Sequence, residues 1–441
     1  MAMSYNKPLM HKVAPLFRNE ERSNKIYDPL VVSLGPYHHG KLELQLAQRY
    51  KSTAVQLFVS RSGQTIEFFQ NKILEVIDDV RSCYFEGSTD NFSDSELAEM
   101  MLQDSCFLLN YIELCKGSDD IRKTRIYTSM INHLDRLTLN LTLRDLFLLE
   151  NQIPYSILTL LMYLRYGTSK GEAMLSKFIS GTIFGDERER MKFSLDRQPP
   201  VHLLDAYRQV LVAECLDINN QQTNSYISSR FEPFRRKLFG NKQKDENNEE
   251  GHNAYLFRSL TDLKTKGVRF KLSNSYSLRD IKFASYCFYA ELQLPYWCVS
   301  IYTKVFFSNM IAYENCLEAH TSSVVTAYVS FMKALIQNSN DVKLLRERKI
   351  IVNQFGSDEE ALQVFDDLNS FALGELDNWV FEEVKKKIHQ HCNSKSRTWM
   401  EELIHTYFRS PWTTIAFIAA VFLLCLAFIQ AYFTVNPSSE K

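Results

Sequence analysis

Three patterns predict a mainly α-helical chain, α+β with a small minor β-sheet, plus one C-terminal transmembrane helix. Over most of the length, apolar residues recur at helical spacing behind recognisable N-caps. Two short stretches instead alternate apolar and polar residues, as half-buried strands do. The run from Trp412 to Val435, WTTIAFIAAVFLLCLAFIQAYFTV, carries no charge at all. About 20 apolar residues suffice to cross a hydrocarbon core of about 30 Å, and buried helices of soluble proteins rarely stay uncharged for so long.

Composition narrows the rest. The 441 residues are 45% hydrophobic and 23% charged, which suits a chain that buries a substantial core. A formal net charge of -1 supplies no global field to steer nucleic acid or an acidic substrate, so no nucleic-acid partner is expected. The 30 Phe and 22 Tyr favour a bulky core or a protein-binding face over a repetitive or disordered chain. The 9 cysteines are scattered through apolar segments rather than set in a framework, the pattern of reduced, buried thiols.

Taken in order, residues 1–28 read as a polar, irregular N-terminal arm without the apolar core of a signal peptide. VVSLGPYHHG, Val31 to Gly40, is an extended segment entering a tight Gly-Pro turn, with His38 and His39 supporting the loop. No further metal ligands stand near that pair in sequence, so no metal is expected there. Helical spacing runs from Leu42 to Val80 through Leu57, Ile66, Phe69, Ile73 and Ile77. Ser93 and Glu96 then form an S-x-x-E capping box, with Phe92 and Leu97 placed as a hydrophobic staple, for a helix that stops near Gly117. Asp104 lies among its apolar residues and calls for a polar partner inside.

In LTLRDLFLLENQIPYSILTLLMYLRYG, two apolar helical segments flank Glu150-Asn151-Gln152, and Pro154 follows. Proline removes a donor and clashes with the preceding turn, so the chain must kink, or stop and restart. Asn151 and Gln152 can satisfy the backbone groups this frees. A ligand or partner contact at the break is the sharper alternative.

VHLLDAYRQVLVAECL resumes a helix with His202 and Asp205 in its first turn. The nearly apolar-free NKQKDENNEEGHN, residues 241–253, reads as a mobile loop. Strand-like alternation follows in VRFKLS and ELQLPYWCVSI. Helices return in VFFSNMIAYENC, HTSSVVTAYVSFMKALI and DVKLLRERKIIVNQFG, the last closing at Gly356; Ser357 and Glu360 open another capping box. His389, His391 and Cys392 are expected on a solvated basic helix end. A helical domain over 29–400, a juxtamembrane piece over 401–411, the span over 412–435 and a short tail over 436–441 complete the organisation.

Trp412 and Tyr432 are set as anchors at the two membrane interfaces. Lys385, Lys386, Lys387, Lys395, Arg397 and Arg409 precede the span and only Lys441 follows it, which places the large N-terminal domain in the cytosol. The sequons at Asn91 and Asn140 would matter only on the opposite side. No nucleophile elbow, P-loop, dinucleotide fingerprint, H-E-x-x-H or paired C-x-x-C is present, so no catalytic residue, cofactor or metal is assigned. Glu150, Asn151, Gln152, His38 and His39 remain as contact or structural polar residues.

VSLGPYHHG, MLQDSCFLLNYIE, DLFLLENQIPY, HLLDAY, LKTKGVRF, FSNMIAYENC, DVKLLRERKII and a PW ahead of the terminal apolar run occur here in one order. In this the chain resembles the plant family known as domain of unknown function 247. Asp262 departs from the family's usual glutamate before LKTKGVRF, and the arm is not a close match. The resemblance implies a membrane-associated plant protein without known catalysis, and some grass relatives are implicated in pollen–stigma self-incompatibility. It transfers no site residues.

The expected function is therefore that of a membrane-tethered, non-enzymatic protein in recognition or signalling, with lipid bound through Trp412–Val435 and an unknown protein partner. The alternatives are an extracellular-facing self-recognition determinant, or a small-ligand binder or enzyme with a pocket near Glu150–Gln152.

Overall fold

The computed structural model describes residues 10–18, 24–115, 125–184, 199–213, 258–286, 289–316, 322–368, 380–393 and 411–435. At the centre of the N-terminal half runs the helix Asp94–Leu114, opened by the expected capping box. The Ser93 hydroxyl accepts the Glu96 N–H at 3.3 Å, and the Glu96 carboxylate accepts the Ser93 N–H at 2.8 Å. Each bond satisfies an amide that the first helical turn leaves without an internal partner. Leu97, Met101, Phe107, Leu108 and Ile112 are buried along it. The helices Gln45–Val59, Ile66–Leu74, Tyr155–Tyr166 and Thr168–Phe184 pack around it. The helical spacing between Leu42 and Val80 is thus realised as separate pieces, and Thr65 caps one of them by accepting the Phe68 N–H at 3.2 Å.

The break at Pro154 is a stop and restart. The helix Arg136–Asp145 ends, a tight turn carries residues 146–153, and Pro154 becomes the N-cap residue of Tyr155–Tyr166. The Tyr155 N–H donates to the Val201 carbonyl at 2.9 Å, tying the restart to the entry of the helix Leu203–Val212.

In the C-terminal half, strands β1 (Val268–Leu272), β2 (Lys282–Ser285) and β3 (Ala290–Leu294) form a sheet of order β1-β3-β2. The β1–β3 pairing is parallel, with Phe270 opposite Leu292, and β2 runs antiparallel to β3. Strand β4 (Trp297–Val299) pairs in parallel with β5 (Ile351–Asn353). The Trp297 indole lies against the rings of Phe307, Tyr328 and Phe365, which come from the helices Thr303–Glu314, Val324–Leu335 and Asp358–Asp367.

Two local expectations are corrected. The helix expected to close at Gly356 stops at Glu347, because Lys349 turns to φ 58 and the buried, β-branched Ile351 opens strand β5. His391 and Cys392 are not solvated: the helix Glu382–Cys392 packs on β2, and both side chains are buried. The His391 ring contacts the Ser285 hydroxyl at 3.0 Å and the Lys266 carbonyl at 3.1 Å, while His389 stays exposed. Of the N-terminal arm, residues 10–18 are docked, with Met10, Val13 and Phe17 buried. The stretch 241–253, residues 401–410 and the tail 436–441 lie outside the described residues.

The last element is the helix Pro411–Val435. Its segment Ile415–Tyr432 is long and apolar enough to cross a membrane, and 0% of it is buried. Trp412 and Tyr432 are both exposed.

Candidate functional site

The two motifs that stand out in the sequence, residues 31–40 and 145–152, are folded against one another. Asp145, the last residue of its helix, accepts the backbone N–H groups of Leu30, Val31 and Val32 at 2.9, 2.7 and 3.1 Å. The guanidinium of Arg144 holds its other oxygen at 2.7 Å. Burial nevertheless pushes the Asp145 carboxyl above the ordinary aspartate range, against the pull of Arg144 and the three amides.

Asn151 accepts from the Leu34 N–H at 2.7 Å and donates to the carbonyls of Val32 and Asp145 at 3.0 and 2.9 Å. Gln152 donates to the carbonyls of Leu146 and Leu148 at 2.9 and 2.7 Å and accepts the Leu204 N–H at 3.2 Å. Both amides are buried and spent on backbone groups that the broken helix and the extended loop leave over. Gly35 sits where the two strips touch. Its φ is +73, and a Cβ there would lie 2.7 Å from the Gln152 carbonyl oxygen, so only glycine fits. The Gly35 N–H donates to Asp104 at 2.7 Å. Asp104 also faces the fully buried Lys51 ammonium at 2.6 Å, and Lys51 donates to the Ser33 carbonyl at 2.6 Å.

Glu150 differs from its two neighbours. One carboxylate oxygen accepts the Val13 N–H at 2.7 Å, and the other accepts from Arg18 at 2.7 Å. Arg18 reaches on to Asp28 at 3.1 Å. His38 Nε2 stands 3.7 Å from the Arg18-bound oxygen of Glu150, beyond hydrogen-bonding range, and among the described residues neither ring nitrogen has a hydrogen-bond partner. Burial, with Lys41 nearby, pulls the His38 pKa down to about 4, so the ring is neutral at physiological pH. One donor atom from each of Asp28, His38 and Glu150 lies within 4.8 Å of the others. His39 is separate: it is exposed, with its ring edge-on to Phe92 at 5.6 Å.

A surface cavity of about 370 Å³ opens on the far flank of the loop, lined by Ser33, Lys41, Gln45, Gln48, Arg49 and Gln103 among others. Glu150, Asn151, Gln152, His38 and His39 do not line it. The sequence singled out Glu150 and His38 but gave no sign of Arg18, Asp28 or Lys51. A weak signal for Asp145 exists in its place at the end of an apolar helix just before the polar break.

A family model described as "Plant protein of unknown function", domain of unknown function 247, matches residues 10–426. The chain belongs to this family. It is similar to UPF0481 protein At3g47200 of Arabidopsis thaliana, at 27% identity over 92% of this chain and 82% of that protein. It is also similar to Putative UPF0481 protein At3g02645 of the same plant, at 24% identity over 93% of this chain and 88% of that protein. No solved structure matches. As a member of the domain of unknown function 247 family, the chain carries the docked residues 10–18, the paired segments 31–40 and 145–152 and most of the terminal helix within the matched region.

Proposed function

We infer that this plant protein is held in a membrane by its last helix and presents its helical domain to a protein partner, in recognition or signalling, without catalysing a reaction. The observation that carries the reading is the helix Pro411–Val435, whose segment Ile415–Tyr432 is uncharged and has none of its residues buried among the described residues. In water such a surface costs roughly 25 cal/mol for each Å² of apolar area, and lipid removes that cost. The amides of Asn151 and Gln152 are consumed by backbone partners, which favours a structural role for that motif over a substrate pocket. Lys385, Lys386 and Lys387 ahead of the span favour a cytosolic domain.

The test is full-length protein made with sealed microsomes, then washed in carbonate and treated with protease. Resistance to the wash with digestion of the large domain is the expected result, and release into the wash overturns the reading. A second orientation has one observation in its favour, since Asn91 and Asn140 are both exposed. Protease protection together with an endoglycosidase-sensitive mobility shift would put the domain on the far side, as a surface self-recognition protein.

A further inference from the structure

We propose that Asp28, His38 and Glu150 form a binding site for a divalent transition-metal ion, best matched by Zn²⁺, with the Arg18 guanidinium as its competitor. The donor set is one imidazole nitrogen and two carboxylate oxygens, the mixed nitrogen and oxygen chemistry that zinc accepts and that calcium and magnesium do not prefer. Two carboxylates facing one imidazole would ordinarily be an unremarkable acidic corner. The second observation is His38 itself: it is only 3% exposed, it is aimed at Glu150, and among the described residues neither ring nitrogen has a hydrogen-bond partner. Leaving a buried donor or acceptor unsatisfied forfeits its hydration without replacement, so a buried imidazole in this state points to a ligand.

The geometry is close to what an ion needs. Around a tetrahedral zinc with donors at about 2.0–2.1 Å, neighbouring donor atoms stand roughly 3.3–3.4 Å apart. The His38–Glu150 pair is already at 3.7 Å, and the whole triad lies within 4.8 Å. Glu150 is held in place from behind by the Val13 N–H, and His38 stands in the turn closed by the His39 N–H on the Pro36 carbonyl. The remaining coordination position is left to water.

Arg18 now bridges the two carboxylates. Its side chain is 23% exposed and ends a single 3-10 turn, so it can swing to solvent. A monovalent guanidinium half-neutralises the carboxylate pair, and a divalent ion neutralises it in full while also engaging His38. Metal binding and the Arg18 bridge are therefore alternatives.

The experiment takes the full-length chain in detergent, strips it with chelator, and titrates Zn²⁺ by calorimetry in the presence of excess Mg²⁺. The expected result is about one equivalent bound. H38A and D28N should each weaken binding by more than the roughly 10–100-fold that loss of an outer-shell partner costs. R18A should tighten it, a response that a purely structural role would not give. Co²⁺ added to the wild-type chain should give a visible spectrum of nitrogen and oxygen ligation without thiolate charge transfer, a readout that needs no variant to fold. Absence of stoichiometric Zn²⁺ binding, equal binding by H38A, a thiolate signature, or weaker binding by R18A would each overturn the site.

Discussion

The two longest helices among the described residues, Asp94–Leu114 and Pro411–Val435, are both strongly apolar, yet they solve opposite problems. The first is buried and carries Asp104, Ser105 and Asn110 at 1% exposure or less. The protein answers the Asp104 carboxylate with Lys51 and the Gly35 N–H, and the Asn110 amide nitrogen with the Ala54 carbonyl at 3.1 Å. In the second, none of Ile415–Tyr432 is buried among the described residues, and the helix carries no Asp, Glu, Lys, Arg or His. Lipid offers no hydrogen-bonding partner, so a lipid-facing helix has to be cleared of charge, whereas a core helix can carry charge wherever a neighbour meets it. Polar content within an apolar helix thus distinguishes its surroundings better than apolar content does.

Substitutions can break this contrast from either side. Asp104→Ala should have the largest effect: it strands the buried Lys51 ammonium, and removal of one member of such a pair costs about 3–5 kcal/mol. The chemical-denaturation midpoint of the full chain in detergent should fall steeply, with membrane retention unaltered. Leu423→Arg is the reciprocal change. A charge at mid-span costs about 2.5–3.5 kcal/mol of insertion. The carbonate-resistant fraction should drop while the denaturation midpoint stays put.

Acid should separate the two regions next. His202 caps its helix by accepting the Asp205 N–H at 3.0 Å, and burial lowers its pKa to about 3. A depressed histidine leaves the unfolded chain holding more protons, so its contribution is complete above about pH 6.5 and is lost as pH falls toward 3. Between pH 6.5 and 5 the loss from this group is about 2 kcal/mol. His202→Asn keeps a cap and removes the titration, so its midpoint should fall less than wild type over that window. The terminal helix holds no residue that titrates there, and its membrane retention should not change with pH. The smallest effect belongs to Ser93→Ala, which loses one capping bond and should cost about 1 kcal/mol, measured by the same denaturation.

Features set by near neighbours were legible in the sequence. The capping box at Ser93, the interruption before Pro154, the alternation at Val268, Phe270 and Leu272, and the uncharged terminal run each express a local constraint on backbone or solvent. The candidate site was legible only in fragments. Glu150, Asn151, Gln152 and His38 drew notice as polar residues in apolar settings, but what each does depends on groups far along the chain. Arg18 and Lys51 meet their carboxylate partners only once the fold exists, and no periodicity encodes such a meeting. His391 shows the same limit: a basic helix end reads as solvated until β2 is laid against it.

The Val13 amide resting on Glu150 has a practical consequence for handling this protein. Trimming the chain to start beyond Arg18 would lift Met10, Val13 and Phe17 out of their seats and uncover a greasy strip around Tyr27 and Tyr84. Preparations shortened in this way should self-associate, even though the segment removed looks dispensable on paper.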